Sequence, residues 1–235
     1  MRVEGVPALN ASALAPLQKY SQVAGHQFVD WHPERREMLV AHRPPGQSTT
    51  QLFRLRRPLG ALEPLTEGTE PVSNARWEPK SGRYILFERG SGGDEAYQVY
   101  RLDPDTRTTT QITSAGERHQ IAGFVESRSL AVIASVPLDR TAAGGRRAEV
   151  STKLTLVDPL APDVPGGRRL IAELPGGGWF GAEVSPDEKQ IALTRYFSAT
   201  HSEGGHAPTV GPPQGGGLRR QLRRLYGAGG GHQAG

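Results

Sequence analysis

The chain has 235 residues, a net charge of +4, 36% hydrophobic and 22% charged residues, 30 Gly, 19 Pro and no Cys. The missing Cys excludes a disulfide framework, a thiol nucleophile, a Cys-ligated zinc and an iron–sulfur cluster together, and no run approaches the roughly 18 apolar residues that span a bilayer as a helix. So much Gly and Pro with few long apolar runs suits a turn-rich β protein, and Met1 to Pro7 lacks the basic start and apolar block of a secretion signal, so a cytoplasmic location is the expectation.

Residues 1–25 read as a short helix and a linker. Asn10 or Ser12 is the candidate cap, and Leu14 and Leu17 share one face. From residue 26 to 197 a repeat takes over. Trp31-His-Pro33, Trp77-Glu-Pro79 and Val184-Ser-Pro186 each place a large apolar residue two positions before a Pro. An apolar strand resumes seven positions after that first residue, at Met38, Tyr84 and Ile191. A further copy starts at Phe124 and resumes at Leu130, without the Pro and with one turn residue fewer. The starts fall 46, 47 and 60 residues apart, and the long interval holds the Gly/Arg/Ala-rich stretch from Pro137 to Val150, read as a loop insertion.

The second copy decomposes most clearly. A strand ends at Trp77, and Pro79-Lys-Ser-Gly82 reverses the chain, because Pro presets φ and Gly tolerates positive φ. Arg83 to Glu88 forms the next strand, Tyr97 to Leu102 alternates with period two, and Arg107 to Thr113 is rich in β-branched residues. Four short antiparallel strands in about 46 residues make one blade of a β-propeller. The first copy adds 51–55 and 63–66, the third 153–157 and 169–174. Trp31, Trp77 and Trp179 are expected to pack between blades. The fold expected is therefore all-β: a partial β-propeller of about three and a half four-stranded antiparallel blades, with a short N-terminal helix and a disordered C-terminal tail.

The tail is taken to begin at residue 198, with the fourth blade ending after its second strand. Residues 201–235 are rich in Gly and poor in large apolar groups, so they bury too little to offset their ordering entropy. An out-of-frame origin for 198–235 fits the bias of 24 Arg over 4 Lys. The tail also holds Arg219, Arg220, Arg223 and Arg224 against the single acid Glu203, so most of the excess positive charge lies there. The folded part lacks the concentrated basic face of a nucleic-acid binder, and neither a nucleic-acid nor a membrane partner is expected.

Little chemistry is legible. Gly176-Gly-Gly178-Trp-Phe-Gly181 has the spacing of a dinucleotide fingerprint, but a strand follows where a helix is required, so a turn is expected. Asp103, Asp105 and Arg107 open like a calcium loop but lack its mid-loop Gly and final Glu. His26, His32 and His42 lie about one strand without metal-ligand spacing. No Gly-x-Ser-x-Gly occurs, so no catalytic residue is assigned. No metal or cofactor is expected. Asp94 and Glu95, after the run Gly90-Ser-Gly-Gly93, are the one acidic constellation on a loop tip, able to hold a substrate ammonium by charge-assisted hydrogen bonds or simply to solvate a hairpin.

The Trp-x-Pro and Ser185-Pro-Asp-Glu-Lys-Gln-Ile-Ala192 turns resemble TolB-like propeller repeats. The strings Leu39-Val-Ala-His-Arg43, Gln51-Leu-Phe-Arg-Leu55 and Gly92-Gly-Asp-Glu-Ala-Tyr-Gln-Val-Tyr-Arg-Leu-Asp103 resemble the N-terminal propeller of the prolyl oligopeptidase family of serine peptidases, over residues 7–197. That resemblance implies a propeller of roughly seven or eight blades capping an α/β-hydrolase domain and filtering peptide substrates by size. The Ser, Asp and His triad would lie in the hydrolase domain, and no position here matches it. The chain is thus expected to be inactive alone, with peptide as the partner of the intact enzyme and with oligomerisation left open. In dipeptidyl peptidases of the family an acidic pair grips the substrate amino terminus, a role that falls nearest to Asp94 and Glu95. The competing reading is a stand-alone TolB-like propeller serving as a protein-interaction scaffold.

Overall fold

The computed structural model describes residues 25–90, 92, 96–138, 150–198 and 200–208. The helix expected over 10–20 and the chain from 209 onward lie outside these residues. Among the described residues there are fifteen strands and one 3-10 turn, in four antiparallel sheets joined in chain order. The first sheet holds β1 (His26–Trp31), β2 (Met38–His42), β3 (Gln51–Leu55) and β4 (Leu62–Pro64). The second holds β5 (Val72–Trp77), β6 (Ile85–Arg89), β7 (Gln98–Leu102) and β8 (Thr109–Gln111). The third holds β9 (Glu117–Val125), β10 (Leu130–Pro137), β11 (Ser151–Val157) and β12 (Arg168–Pro175). The fourth holds β13 (Trp179–Val184), β14 (Gln190–Ser198) and β15 (His201–Pro208).

Each sheet is a meander whose strands pair in sequence order. The first strands lie near one another, β1 against β5 and β9 against β13, so they form the inner wall of a fan of blades. Alternation along the strands supplies a core on both sides of the second and third blades. Ile85 and Phe87 of β6 join Leu39, Leu52 and Leu65 of the first blade. Tyr84, beside β6, and Leu86 join Ile121, Phe124 and Ile133 of the third. Across the next interface Val132 and Ala134 of β10 meet Trp179, Ile191 and Leu193. A segment covered on both faces has no polar side, which is why Tyr84 to Phe87 and Leu130 to Ala134 read as continuous apolar runs.

The recurring turn has a shared mechanism with varied residues. In the second blade Gly82 takes φ +64°, and its N–H donates to the Glu78 carbonyl over 3.1 Å. A Cβ on Gly82 would stand 2.2 Å from His32 Nε2, so the position excludes a side chain twice over. In the third blade the 3-10 turn Glu126–Arg128 ends in Ser129 at φ 53°. In the fourth, Glu188 takes φ 55°.

A second repeat, unrecognised in the sequence, fixes the blade exits. In the first blade the Thr66 hydroxyl donates to Gln51 Oε1 (2.9 Å) and accepts from the Leu52 N–H (2.9 Å), while Gln51 Nε2 donates to the Glu70 carbonyl (2.9 Å). In the second, Thr113, Gln98, Val99 and Glu117 repeat this at 2.8, 2.9 and 2.9 Å. Each set ties the outgoing connection to the third strand of its own blade. In the third blade Thr152 alone donates to the Gly176 carbonyl, at 2.8 Å.

Two expectations are corrected. Trp77 and Trp179 are buried, but Trp31 is 57% exposed. Trp77 pairs with Ile85 and faces the preceding blade, and Trp179 likewise packs against the third blade. Trp31 pairs with Met38, on the face opposite Leu39. No sheet of the described residues precedes β1 to cover that face, where Phe28 is also exposed. The tail expected from 198 also does not hold as far as 208, because the fourth sheet gains a third strand there. β15 pairs with β14 from Ser198↔His201 to Gln190↔Pro208. Its glycines hide it from a search for alternation. Backbone pairing carries it, and fully buried Ala207 is its one contribution to the core beside Trp179 and Ile191.

Candidate functional site

The Asp94–Glu95 pair lies outside the described residues, in the connection between β6 and β7, whose ends pair as Arg89↔Gln98. The other sequence candidates resolve as structure. His26 and His42 stack with ring centroids 4.0 Å apart at one end of β1. His32 lies past the other end, against Trp77 at 4.8 Å. The three histidines therefore do not converge, and among the described residues no cluster of metal-ligating side chains forms. Asp103 Oδ1 accepts the N–H groups of Asp105 and Thr106, each at 2.9 Å, which pins a surface hairpin and pulls its carboxyl below the usual range. Gly176, Gly178 and Gly181 all have positive φ, and a Cβ on Gly178 would meet the Tyr196 carbonyl at 2.9 Å, so this glycine run is a tight entry to β13.

One Ser–His pair went unnoticed in the sequence. His119 Nε2 faces the Ser114 carbonyl at 3.0 Å, so it carries the ring proton, and Nδ1 accepts from the Ser135 hydroxyl at 2.8 Å. Both residues are about 5% exposed, and burial lowers the His119 pKa. The arrangement matches a nucleophile and its base, but a substrate has no access to it. It is a satisfied internal hydrogen bond across the paired strands β9 and β10.

The inner wall carries the polar geometry that remains. A cavity of about 230 Å³ opens between β5, β9 and β13, lined by Asn74, Arg76, Gln120, Trp179, Glu183 and Leu193 among others. Behind it, the buried Glu88 accepts the Ile121 N–H at 2.6 Å and an Asn74 amide N–H at 2.5 Å. Asn74 also donates to the Ile121 carbonyl at 3.0 Å. Asn74 sits at the irregularity in the β5–β6 register with φ 44°, a conformation its amide bonds hold in place. Burial pushes the Glu88 carboxyl above its ordinary range, against the pull of these hydrogen bonds and of the Arg118 and Arg76 charges.

A second carboxylate behaves oppositely. Glu78 is buried in the turn after β5, which by itself would raise its pKa. Hydrogen bonds from the Ser129 hydroxyl (2.5 Å), the Ser81 N–H (2.9 Å) and hydroxyl (2.8 Å) and the Lys80 N–H (3.2 Å) bring it down to about 2. Ser129 belongs to the third blade, so this carboxylate joins two blades. Tyr84 adds a hydroxyl donated to the Ser129 carbonyl at 3.1 Å. The next interface repeats the device with Glu188, which accepts the Ser127 N–H at 2.7 Å and also the Ser127 hydroxyl.

No family model matches the chain, and no curated protein matches its sequence. Solved structures do. TolB from Acinetobacter baumannii aligns at a TM-score of 0.55 and 16% identity, over 79% of this chain and 41% of that one. A prolyl endopeptidase aligns at 0.62 and 11% identity, over 84% of this chain and 30% of that one. A Mycobacterium tuberculosis puromycin-hydrolyzing peptidase aligns at 0.52 and 14%, over 75% and 29%. The likeness establishes the fold: the four sheets are blades of a β-propeller, similar to those of these proteins. The chain spans less than half the length of each of these proteins.

Proposed function

We propose that this chain is the propeller portion of a serine peptidase of the prolyl oligopeptidase type, in which the blades cap a hydrolase domain and filter peptide substrates. The reading is carried by the alignment of 84% of the chain with a prolyl endopeptidase, a protein whose inter-domain dynamics bear on catalysis and specificity. It is supported by the string Gly92 to Asp103, which resembles that family. In this reading Asp94 and Glu95 hold the ammonium of the incoming peptide, and the enzyme acts in the cytoplasm. The blades position and select, and the covalent chemistry belongs to the partner domain.

The test has two parts. The purified chain, offered aminoacyl and dipeptidyl nitroanilides, is expected to release no nitroaniline, and steady turnover would overturn the division of labour. Translation of the flanking DNA in all frames is expected to reveal further blades and then Gly-x-Ser-x-Gly. Blades followed by a stop codon with no such motif would instead mark a binding propeller without a hydrolase.

A further inference from the structure

The cavity between β5, β9 and β13 draws one wall from each of three blades. Trp179, Leu193 and Ala134 give it an apolar side. Arg76 and Glu183 give it a cation and an anion. On the first blade neighbouring opposite charges pair directly: Arg54 meets Glu63 and Asp105, each at 3.1 Å, and Arg56 meets Glu63 at 2.7 Å. The side chains of Arg76 and Glu183, both exposed on one cavity, form no ion pair or hydrogen bond among the described residues, although the Arg76 charge also acts on Glu88. The Gln120 side chain is likewise without a hydrogen bond among the described residues. Both Asn74 amide hydrogens are engaged by Glu88 and Ile121, which leaves Asn74 Oδ1 as an acceptor.

A ligand that satisfies this set carries a carboxylate and an ammonium on one small body, with an apolar group between or beside them. A simple anion leaves Glu183 unmatched, and a simple cation leaves Arg76 unmatched. At about 230 Å³ the space falls below the roughly 300–1,000 Å³ that takes drug-sized ligands. We propose that the cavity is a binding site for a small zwitterion of the amino-acid or dipeptide class. Arg76 receives the carboxylate, Glu183 the ammonium, Asn74 Oδ1 and Gln120 the peptide polar groups, and Trp179 with Leu193 the apolar side chain. The proposal rests on the cavity alone and stands whether or not a hydrolase domain accompanies the blades.

The test titrates the full chain with alanyl-leucine and follows the three Trp indole N–H signals by NMR. The signal lost in Trp179→Phe identifies the reporter, whose indole donates to the Pro175 carbonyl at 3.1 Å. The expected result is a saturable shift of that signal, with Kd on the order of 1 mM. N-acetylation or C-amidation of the dipeptide should weaken binding roughly threefold to fivefold each, as expected for solvent-exposed charge pairs. In Glu183→Gln the acetylated and free dipeptides should bind alike, and in Arg76→Gln the amide and the acid should. Both positions are exposed, so neither substitution touches the core. No saturable shift at Trp179, or analogues and variants that bind as well as their parents, would overturn the proposal.

Discussion

Replacing Glu78 with Ala should destabilise the fold by about 3 kcal/mol at neutral pH, and the size follows from what the carboxylate holds. It accepts four hydrogen bonds, two from hydroxyls and two from backbone N–H groups, and one donor belongs to the next blade. Hydrogen bonds to a charged acceptor contribute about 1.5–3 kcal/mol each in favourable cases. Water re-solvates the exposed donors in the variant, but the Ser129 hydroxyl is buried and stays unsatisfied. A domain of this size should then melt roughly 5–10 °C lower. The pH dependence distinguishes a charged latch from simple packing. The folded pKa of about 2 lies below the ordinary 4.5, so the unfolded chain binds the proton more tightly. The stabilisation is fully present above pH 4.5 and is lost as pH falls through 2. Urea denaturation of both proteins from neutral to acid pH should show the gap between them closing over that window. A gap that stays constant down to pH 2.5 would refute the idea that the carboxylate carries the effect.

Gly82→Ala should cost about 2–4 kcal/mol, because φ is positive and the new methyl group would press on the buried His32 ring; chemical denaturation at neutral pH checks it. Trp77→Ala should cost about 3–5 kcal/mol while Trp31→Ser stays within about 0.5 kcal/mol, a contrast read from the same denaturation curves and reversed if a further blade covers Trp31. Glu88→Gln should remove a pH dependence of opposite sign to that of Glu78. The folded Glu88 pKa lies above its ordinary 4.5, so wild-type stability falls as pH rises from 4.5 through the raised value, whereas the Gln variant should show no such fall.

The blades were legible because their periodicity is chemical. A segment buried on both faces, as Tyr84 to Phe87 is between two cores, must be apolar, and the turn before it must reverse within a few residues. Both demands leave marks in the sequence. β15 left none, since a strand that contributes one small buried side chain and is otherwise held by backbone pairing has no need of alternation. Trp31 was misplaced for a different reason. Its sequence context matches that of Trp77, but burial depends on whether a neighbouring sheet exists, and the repeat motif encodes only which way the side chain points.

The inter-blade contacts carry the same lesson toward function. The Gln51–Thr66 and Gln98–Thr113 sets recur with a spacing of 47 residues and were readable in principle, since Gln heads β3 and β7 and Leu-Thr or Ile-Thr follows at a fixed distance. The cavity was not readable, because Asn74, Gln120 and Glu183 sit on three different blades, Asn74 and Glu183 at strand irregularities. Inner-wall residues of a propeller are brought together across blades by closure around an axis, not by proximity in the chain. Repeat spacing can therefore reveal the scaffold while concealing the site, and the wall residues that find no partner within the fold are where a ligand should be sought first.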